Sequence, residues 1–491
     1  MIFGFSLGYI KTDAAPILEL PTSITIARCG LFEEKIPISK GSFNAPLYRN
    51  YTTLCNYEGV HNGRKYQEKV SVSGTPGKNC QLVLFLLSLC EFNFCKEKTV
   101  ETITDEVLSQ FYSARNWKYV SEYDKMVLNQ VFERGGFYNA HAHLDRAYTL
   151  DDIYLRHIGR TSIEASNDPL LVKQNLVGDL HTGVAYTEEN LRARMSYAIE
   201  VQMALGTTRL DTCIDATPDL PEDGLLAIRI ALELKEKYKD QIKIRIAPNP
   251  IFGFKEGTGR FTVFKAAAKL ADFLSLLPEK DGNEHDPKFR QHIRKGMEIA
   301  CELGKEVQLH LDQANLPNEE GTLTLLEGLR WIDKPKIEGH AGPTIKIIHM
   351  ISPTAYSEDR FAKLIDQLLE HNAGVIICPT AAISMRQLRS LEAPLHNSIA
   401  RMLELIKRKV PLWLGTDNIC DVFVPQGDGD LLTELKMGGH AIRIAMPSIW
   451  SKLSTGTPFN DVDITTVGRA LHEDRKAYLK VAPFGWTPAV E

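Results

Sequence analysis

From about residue 137 onward, short apolar runs alternate regularly with longer amphipathic stretches. Each short run has the length of one strand, and the longer stretches repeat apolar residues every three or four positions, as helices do. Strands that alternate with helices indicate βαβ units and a parallel sheet. Eight such units predict an α/β fold of the (β/α)8 or TIM barrel type, with strand candidates at residues 137–143, 208–215, 243–248, 271–276, 306–313, 346–350, 374–380 and 411–417.

The chain of 491 residues is long enough for such a barrel and one further part. Residues 1–115 carry β-branched runs such as 23–27, and the Gly, Asn and Pro residues between these runs are typical of turns. We therefore expect a small β-rich N-terminal segment over residues 1–115 and the barrel over residues 116–491.

Composition and charge exclude several classes of partner. Hydrophobic residues make up 44% and charged residues 24%, as in ordinary soluble globular proteins. The net charge is −5 without a long run of one sign, so no basic surface is expected for nucleic acid or an anionic membrane. The most apolar run, residues 82–89, is too short to span a bilayer and is expected to be a buried strand or helix. We expect no nucleic-acid partner and no membrane partner.

Cysteine usage indicates the compartment. The nine cysteines form no CxxC pair, and their odd number suggests neither a disulfide framework nor a zinc ribbon. The first residues lack the basic start and the small-residue cleavage site of a signal peptide. A reducing, cytoplasmic location is the expectation.

Five polar residues stand at or near the predicted C-terminal ends of strands, where barrel enzymes place their catalytic groups. They are His141, His143, His310, His349 and Asp417. His141 and His143 are two positions apart, so their side chains share one face of a strand. Neutral imidazole is a common ligand for zinc and also suits iron, and a carboxylate can both bind a metal and take a proton. Together they predict a metal site with an open position for water, whose pKa a bound metal lowers to about 7.

Each of these residues taken alone has a simpler interpretation. Paired histidines are also found packed or exposed, and a lone His310 or His349 is more often a hydrogen-bonded core residue. Asp417 could cap a following helix. It is their joint occurrence at the ends of barrel strands that favours the metal site.

The stretch NAHAHLDRAYT, followed by HLDQ, IIHMIS and LGTDNICDVFVPQGDGDLL, resembles the amidohydrolase superfamily. Over residues 115–475 the chain is most similar to the cytosine deaminase branch, which includes enzymes acting on s-triazine rings. The resemblance implies one divalent transition metal ion, zinc or iron, with His141, His143, His310 and Asp417 as ligands. It implies His349 as a further ligand or as the group that polarises the attacking water. The fourth strand, ADFLSL, has no lysine that could bridge a second metal when carboxylated.

Three positions depart from the pattern of cytosine deaminases. Gln313 stands where the family has a glutamate that shuttles protons to the ring nitrogen, and an amide cannot carry a proton at neutral pH. Ile251 lies in the segment NPIF, where the family has a glutamine that binds the pyrimidine edge. Asn418 follows Asp417 where cytosine deaminase has an acid. These changes argue against cytosine as the substrate and leave the metal ligands intact.

Further residues complete the candidate site. Asp145 follows the histidine pair and could support a ligating histidine through a hydrogen bond, or cap the next helix. Asp215 ends the second strand and could support the histidines in the same way. Phe423 could stack on a flat ring, although core packing is the alternative. With Gln313, Asn418 and Ile251, it forms the candidate substrate-binding set.

These features predict a metal-dependent hydrolase that attacks a C–N bond of a small nitrogen-containing ring. They favour a deaminase or aminohydrolase in which Asp417 moves the proton, while His349 and Gln313 hold the oxyanion or the ring. The alternative is ring opening of a cyclic amide, imide or imidazolone, which Gln313 slightly favours because the proton-shuttling glutamate is missing. A catalytically inactive metabolite-binding protein is less favoured, since all five candidate ligands are present. The expected partner is a small cyclic substrate, and a homo-oligomer is suggested only by analogy with other barrel enzymes.

Overall fold

The computed structural model of the protein describes residues 23–27, 33–37, 51–61, 64–74, 104–384, 399–442 and 444–481. The apolar run 82–89 lies outside these residues, so its predicted burial stays a prediction. The chain divides into two compact units, residues 1–102 and residues 103–491. The expected division at residues 115 and 116 stays a prediction.

The described residues of the N-terminal unit form four strands in two antiparallel pairs. Strand β1 (Ser23–Ala27) pairs with β2 (Glu33–Pro37), and β3 (Tyr51–His61) pairs with β4 (Arg64–Gly74). The β-rich character expected for residues 1–115 as a whole stays a prediction.

Eight parallel strands of the larger unit lie at the eight predicted positions, with bounds that differ by up to three residues. The first three form one parallel sheet in chain order and the other five form a second. The strands are β5 (Phe137–Ala142), β6 (Thr207–Asp215), β7 (Lys243–Asn249), β8 (Leu274–Leu276), β9 (Val307–Leu311), β10 (Ile345–His349), β11 (Ala373–Ile377) and β12 (Leu412–Leu414).

The two parallel sheets are linked at both of their edges. On one side, Ala142 at the end of β5 forms a parallel bridge with Asp417, and the Asp417 amide donates to the His141 carbonyl oxygen at 3.0 Å. On the other side, the amide of Asp272, just before β8, donates to the carbonyl oxygen of Ile246 in β7 at 2.8 Å. The larger unit is therefore an α/β fold with parallel sheets, consistent with a TIM barrel.

Helices connect the strands and begin where the sequence offers capping side chains. Ser121, Thr187 and Asp286 accept hydrogen bonds from backbone amides of the first turn of the helices that follow them. The helices are α1 (Asp105–Phe111), α2 (Glu122–Glu133), α3 (Ser162–Ser166), α4 (Leu170–Thr182), α5 (Glu188–Ala204), α6 (Leu226–Lys237), α7 (Arg260–Leu270), α8 (Pro287–Leu303), α9 (Gly321–Gly328), α10 (Glu358–Glu370), α11 (Pro379–Ser384), α12 (Met402–Lys407), α13 (Leu431–Ile442), α14 (Pro447–Thr455) and α15 (Asp461–Val481). Within the described part of the chain, none of them combines the length and the apolar content that a bilayer crossing requires.

A buried network of charged side chains joins strands of both sheets near their N-terminal ends. Arg245 of β7 lies between Asp211 of β6, at 3.1 Å, and Glu306, which precedes β9. The hydroxyl of Tyr138 in β5 donates to Asp211 at 2.9 Å, and Lys346 of β10 lies 3.5 Å from Glu306. Each buried charge therefore has a partner of opposite sign, as burial requires. Side chains from the two sheets therefore meet in a common interior. This network lies at the N-terminal end of the interior, and the C-terminal ends of the strands are free of it.

Candidate active site

Four histidines and one aspartate bring their side chains together at the C-terminal ends of the strands. His141 lies in β5 and His143 directly follows it, His310 lies in β9, His349 ends β10, and Asp417 follows β12. All five are buried, and none exposes more than 6% of its surface. The predicted cluster therefore comes together from four separate strands.

The ring nitrogens of this cluster point at one another and at the Asp417 carboxylate. The Nε2 atoms of His141 and His310 are 3.2 Å apart. Asp417 Oδ1 lies 3.5 Å from His141 Nε2 and 3.3 Å from His143 Nε2, and Asp417 Oδ2 lies 3.8 Å from His349 Nε2. His141, His143 and His310 each offer a ligand atom within 4.8 Å of the other two. One small ion placed among them would contact all three imidazoles.

Backbone geometry at the strand ends aims these side chains. His349 has a φ of 77° and Asp417 a φ of 58°, a left-handed conformation that residues other than glycine rarely adopt. Such strained positions are concentrated at functional sites. Gly415 allows β12 to approach β5, because a Cβ there would lie 2.8 Å from both the Cβ and the carbonyl oxygen of His141. The cluster is thus built by unusual local backbone as well as by strand order.

The hydrogen bonds around the rings fit a transition metal. His310 Nδ1 lies 3.4 Å from the carbonyl oxygen of Leu276, which can only accept, so the proton sits on Nδ1 and the Nε2 lone pair faces the cluster. Two imidazole Nε2 atoms 3.2 Å apart would otherwise bring lone pairs together or need a shared proton. A divalent cation among several imidazoles and one carboxylate resolves this arrangement.

Electrostatics also favour positive charge at this position. Burial lowers the pKa of His143 to about 3 and that of His349 to about 4, so both rings are neutral and can act as ligands. Burial also disfavours the protonated form of His141, but its contacts with Cys213 and Asp417 outweigh burial and raise its pKa to about 10. Burial opposes ionisation of Asp417, but its hydrogen bonds with His141 and His143 hold its pKa well below the usual range. The carboxylate therefore stays charged and attracts a cation.

One cavity opens onto this cluster and is lined by every residue of the candidate substrate-binding set. Gln313, Asn418, Phe423 and Ile251 all line it. They share its wall with four residues of the cluster, His143, His310, His349 and Asp417. The structure thus brings the candidate chemical groups and the candidate binding groups to one cavity, with His141 buried behind it.

Arg146 borders the same cavity beside two of the substrate-binding candidates. Its guanidinium lies 5.2 Å from the centre of the Phe423 ring, and its Nη2 donates to Asn418 Oδ1 at 3.5 Å. Phe423 therefore presents a cation–π contact on one side. Asn418 is buried and its side-chain oxygen is held by a positive group.

The two aspartates expected to support the histidines belong to a buried network of their own. Asp145 Oδ2 accepts from the Tyr186 hydroxyl at 2.8 Å and from the Asp215 amide at 2.9 Å, so its hydrogen bonds do not go to a histidine of the cluster. Asp215 accepts from Asn249 at 2.8 Å and lies 3.2 Å from His181 Nε2. Since Asn249 lines the cavity, this network supports the cavity wall.

Arg146 and Asn249 were not among the predicted site residues, and neither were three further residues that contact the site. Cys213 Sγ lies 3.6 Å from His141 Nδ1, and Glu279 accepts a hydrogen bond from Gln313 Nε2 at 2.7 Å. Lys173 lines the cavity and donates to the Phe423 carbonyl oxygen at 3.4 Å. Cys213 is two positions before Asp215 on one strand, so the alternation of strand side chains could have revealed it. Glu279 and Lys173 lie outside strands and carry no such pattern.

Comparison with known proteins shows which structures have a similar fold. No family model matches the chain. An uncharacterized protein of Haemophilus influenzae is 27% identical over 290 residues, which are 59% of this chain and 96% of that protein. Two structures of 5-methylcytosine deaminase from Klebsiella pneumoniae, liganded with 5-fluorocytosine or with phosphonocytosine, each give a TM-score of 0.56 at 21% identity. The two matches cover 69% and 68% of this chain, and each covers 75% of the Klebsiella chain.

These similarities concern the fold. At 21% identity, the likeness to the Klebsiella structures shows that this chain folds as they do. The chain therefore shares the fold of these deaminases, as the predicted resemblance leads us to expect.

Proposed function

We propose that this chain, which shares the fold of a deaminase, is a metal-dependent hydrolase that breaks a C–N bond of a small nitrogen-containing ring. Deamination or release of an alkylamine is the first candidate reaction. The observation that carries the proposal is the convergence of four buried histidines and Asp417 on one cavity. The 5-methylcytosine deaminase of Klebsiella pneumoniae, named as acting on a nitrogen ring, supports it through the shared fold.

His141, His143, His310 and Asp417 would hold one zinc or iron ion, with His349 as a further ligand or a neighbour of the attacking water. When bound, such an ion lowers the pKa of coordinated water to about 7 and so makes a nucleophile available at neutral pH. The donor set supports this assignment, because several imidazoles and one carboxylate suit either metal.

The contacts of Asp417 support a role in proton transfer. Its Oδ1 faces His141 and His143, whereas its Oδ2 faces His349, so one carboxylate contacts both the ligating rings and the cavity side. We propose that Asp417 accepts the proton of the attacking water and delivers it to the leaving nitrogen. His349 and Gln313 would hold the oxyanion or the ring, and Asn418, Phe423 and Ile251 would enclose the rest of the substrate.

We also propose that the eight strands close into one (β/α)8 barrel, in which residues at the strand ends form the site. Two observations support closure: the bridge between Ala142 and Asp417, and the network in which Arg245 joins Asp211 and Glu306 across the interior.

A second candidate function is hydrolytic opening of a cyclic amide, imide or imidazolone. The observation that favours it is the environment of Gln313, whose amide Nε2 donates to Glu279 at 2.7 Å. Gln313 takes the sequence position of the glutamate that protonates a ring nitrogen in cytosine deaminases. In ring opening the leaving nitrogen stays attached to the product. This alternative would use the same cavity and the same metal ion as the deamination reaction.

Mass spectrometry of reaction products tests both candidates. Metal-loaded protein would be incubated with aminopyrimidines, aminotriazines, pterins, hydantoins and imidazolones. A product about one dalton heavier indicates exchange of an amino group for oxygen, and one about eighteen daltons heavier indicates addition of water across a ring bond. The His310→Ala protein serves as the control without a metal ligand. Absence of either product across the panel, with full metal content, would contradict the proposed function.

A further inference from the structure

The carboxyl group of Glu279, a half-buried residue, contacts Gln313 and is not among the groups that line the cavity. Glu279 sits in the short 3-10 helix Pro278–Lys280 that follows β8, and Gln313 follows β9, the neighbouring strand. Gln313 Nε2 lies 2.7 Å from Glu279 Oε2. The other carboxyl oxygen, Oε1, is buried without a hydrogen-bond partner among the described residues. Only one of the two carboxyl oxygens of Glu279 therefore accepts a hydrogen bond from Gln313.

The chemistry of the two groups sets the orientation of the amide. An ionised carboxylate only accepts hydrogen bonds, whereas an amide has one donating and one accepting end. The end of Gln313 that faces Glu279 is therefore the NH2 group, and the carbonyl oxygen Oε1 is left for another donor. Within the described part of the chain, no group donates to that oxygen, and Gln313 lines the cavity. A substrate N–H is the donor that this arrangement lacks.

We propose that Glu279 is a positioning residue that holds the Gln313 carbonyl oxygen toward the cavity, so that the site selects rings presenting an N–H donor at this edge. The chemical class is that of cyclic amides, imides and ureas. This inference rests on the proposed function and narrows it toward ring opening, its second candidate.

The selection follows from complementary hydrogen bonding. An aminopyrimidine or aminotriazine presents a bare ring nitrogen beside its reacting carbon, and this lone pair would face the Gln313 oxygen, another acceptor. A cyclic amide presents N–H at the corresponding position and donates to that oxygen. A site built to hydrogen-bond one group rejects the analogue lacking it strongly, because buried polar groups are left without partners.

The charges around Glu279 define the conditions of the test. Burial raises the pKa of its carboxyl to about 7, the hydrogen bond from Gln313 opposes this, and the nearby carboxylates of Asp312 and Glu284 add to the rise. Lys280 acts in the opposite direction. At pH 8 the Glu279 carboxyl is therefore mainly ionised, so ligand binding is measured at this pH.

Binding of matched ring pairs to the metal-loaded protein tests the selection without requiring turnover. Pyrrolidin-2-one and oxolan-2-one, or piperidin-2-one and oxan-2-one, differ by their single ring N–H replaced with oxygen at nearly constant shape, and all four are uncharged at pH 8. In at least one pair we expect the N–H member to bind about tenfold more tightly, and Glu279→Gln to remove most of that preference because its amide can also donate. Glu284→Gln is the matched control, since it removes a nearby carboxylate that does not contact Gln313.

A double-mutant cycle tests whether Glu279 acts through Gln313. Glu279→Gln and Gln313→Ala should each weaken binding of the preferred N–H ring, whereas Glu279→Gln should add less than about twofold to the Gln313→Ala protein. Where the ring is turned over, the loss should appear mainly in KM and not in kcat. Independent, multiplicative effects of the two substitutions would overturn the inference.

The outcomes separate this inference from the proposed function. Equal binding of the ring pairs, or deamination of a bare-nitrogen ring that Glu279→Gln leaves unchanged, overturns the inference while the hydrolase proposal stands. If the metal-loaded protein neither binds nor converts any ring of either class, both are overturned.

Discussion

At the scale of single residues, Asp417 has the most demanding position in the site. It combines a left-handed backbone with side-chain contacts to His141, His143 and His349, and burial leaves it 6% exposed. In the proposed function, the same carboxylate both binds a cation and carries a proton. The substitution Asp417→Asn separates these tasks, because an amide oxygen can still bind a metal but cannot take up a proton.

For Asp417→Asn we expect most of the bound metal to remain while kcat falls about 10²–10⁴-fold, the usual contribution of a general acid–base group. Metal content by plasma mass spectrometry and turnover of the ring identified in the product screen are measured on the same sample. Full activity of the variant would show that the proton follows another route.

His310 has a simpler task. Its Nδ1 is engaged by the Leu276 carbonyl oxygen and its Nε2 faces the cluster, so His310→Ala should lower metal content about tenfold or more and abolish turnover with it. His285→Ala is the control, since the side chain of that histidine is 69% exposed. Retention of metal by His310→Ala would remove this ring from the ligand set.

At the scale of elements, the strand positions follow from sequence but their ends do not. The seventh strand is predicted to reach residue 380 and ends at Ile377, because Pro379 starts α11 and has no amide to donate to a sheet. The fourth strand is predicted from residue 271 and begins at Leu274, because the Asp272 and Phe273 amides instead donate to one carbonyl oxygen of β7, that of Ile246. Local hydrogen bonding to neighbouring elements decides these ends.

The junction of α11 and α13 yields a prediction on pH. Glu434 of α13 is buried and accepts from the Thr380 amide in the first turn of α11 at 2.8 Å. Burial raises the pKa of its carboxyl to about 8, and the hydrogen bonds from Thr380 only partly oppose this. The folded state thus keeps a proton that the unfolded chain releases above about pH 4.3, so stability falls as pH rises from about 4.3 to about 8.

Glu434→Gln should remove this pH-dependent loss, because the glutamine oxygen still accepts from Thr380 and carries no charge. We expect the Tm of the variant to exceed that of the wild type by a few degrees at pH 8 and by less at pH 5. Glu327→Gln, at an exposed glutamate of α9, is the control. A difference that is the same at both pH values would contradict the assigned proton.

At the scale of the whole molecule, the boundary of the larger unit can be tested directly. This unit begins at residue 103, and its first helix is anchored by the hydroxyl of Tyr112, which donates to the Leu128 carbonyl oxygen at 2.7 Å. Arg115 then forms two hydrogen bonds with Asp430, at 2.5 and 2.6 Å. Tyr112 and Arg115 therefore contribute to the packing of the larger unit.

We propose that residues 103–491 form an independently folding metal-binding unit, and a chain of these residues should retain about one metal ion. A chain of residues 116–491 loses α1 and the Arg115 ion pair, so its Tm should be lower by about 5 °C or more. Calorimetry and metal analysis of the two chains check this. Equal Tm values would support the boundary at residue 115 that the sequence suggests.

The sequence by itself determined where the eight strands lie and which polar residues occupy their ends. Apolar runs alternating with amphipathic stretches define strands and helices locally, and parallel strands gather their C-terminal ends at one side. This was sufficient to bring His141, His143, His310, His349 and Asp417 into one cluster without knowledge of the loops.

Only the tertiary structure decided the partners of these groups. The contact of Glu279 with Gln313 and that of Arg146 with Phe423 join residues from different elements. They depend on the path of each loop and on the lateral register of neighbouring strands. The loop path and the strand register leave no periodic pattern in the sequence. The position of a side chain beyond a strand end is set by packing against distant parts of the chain.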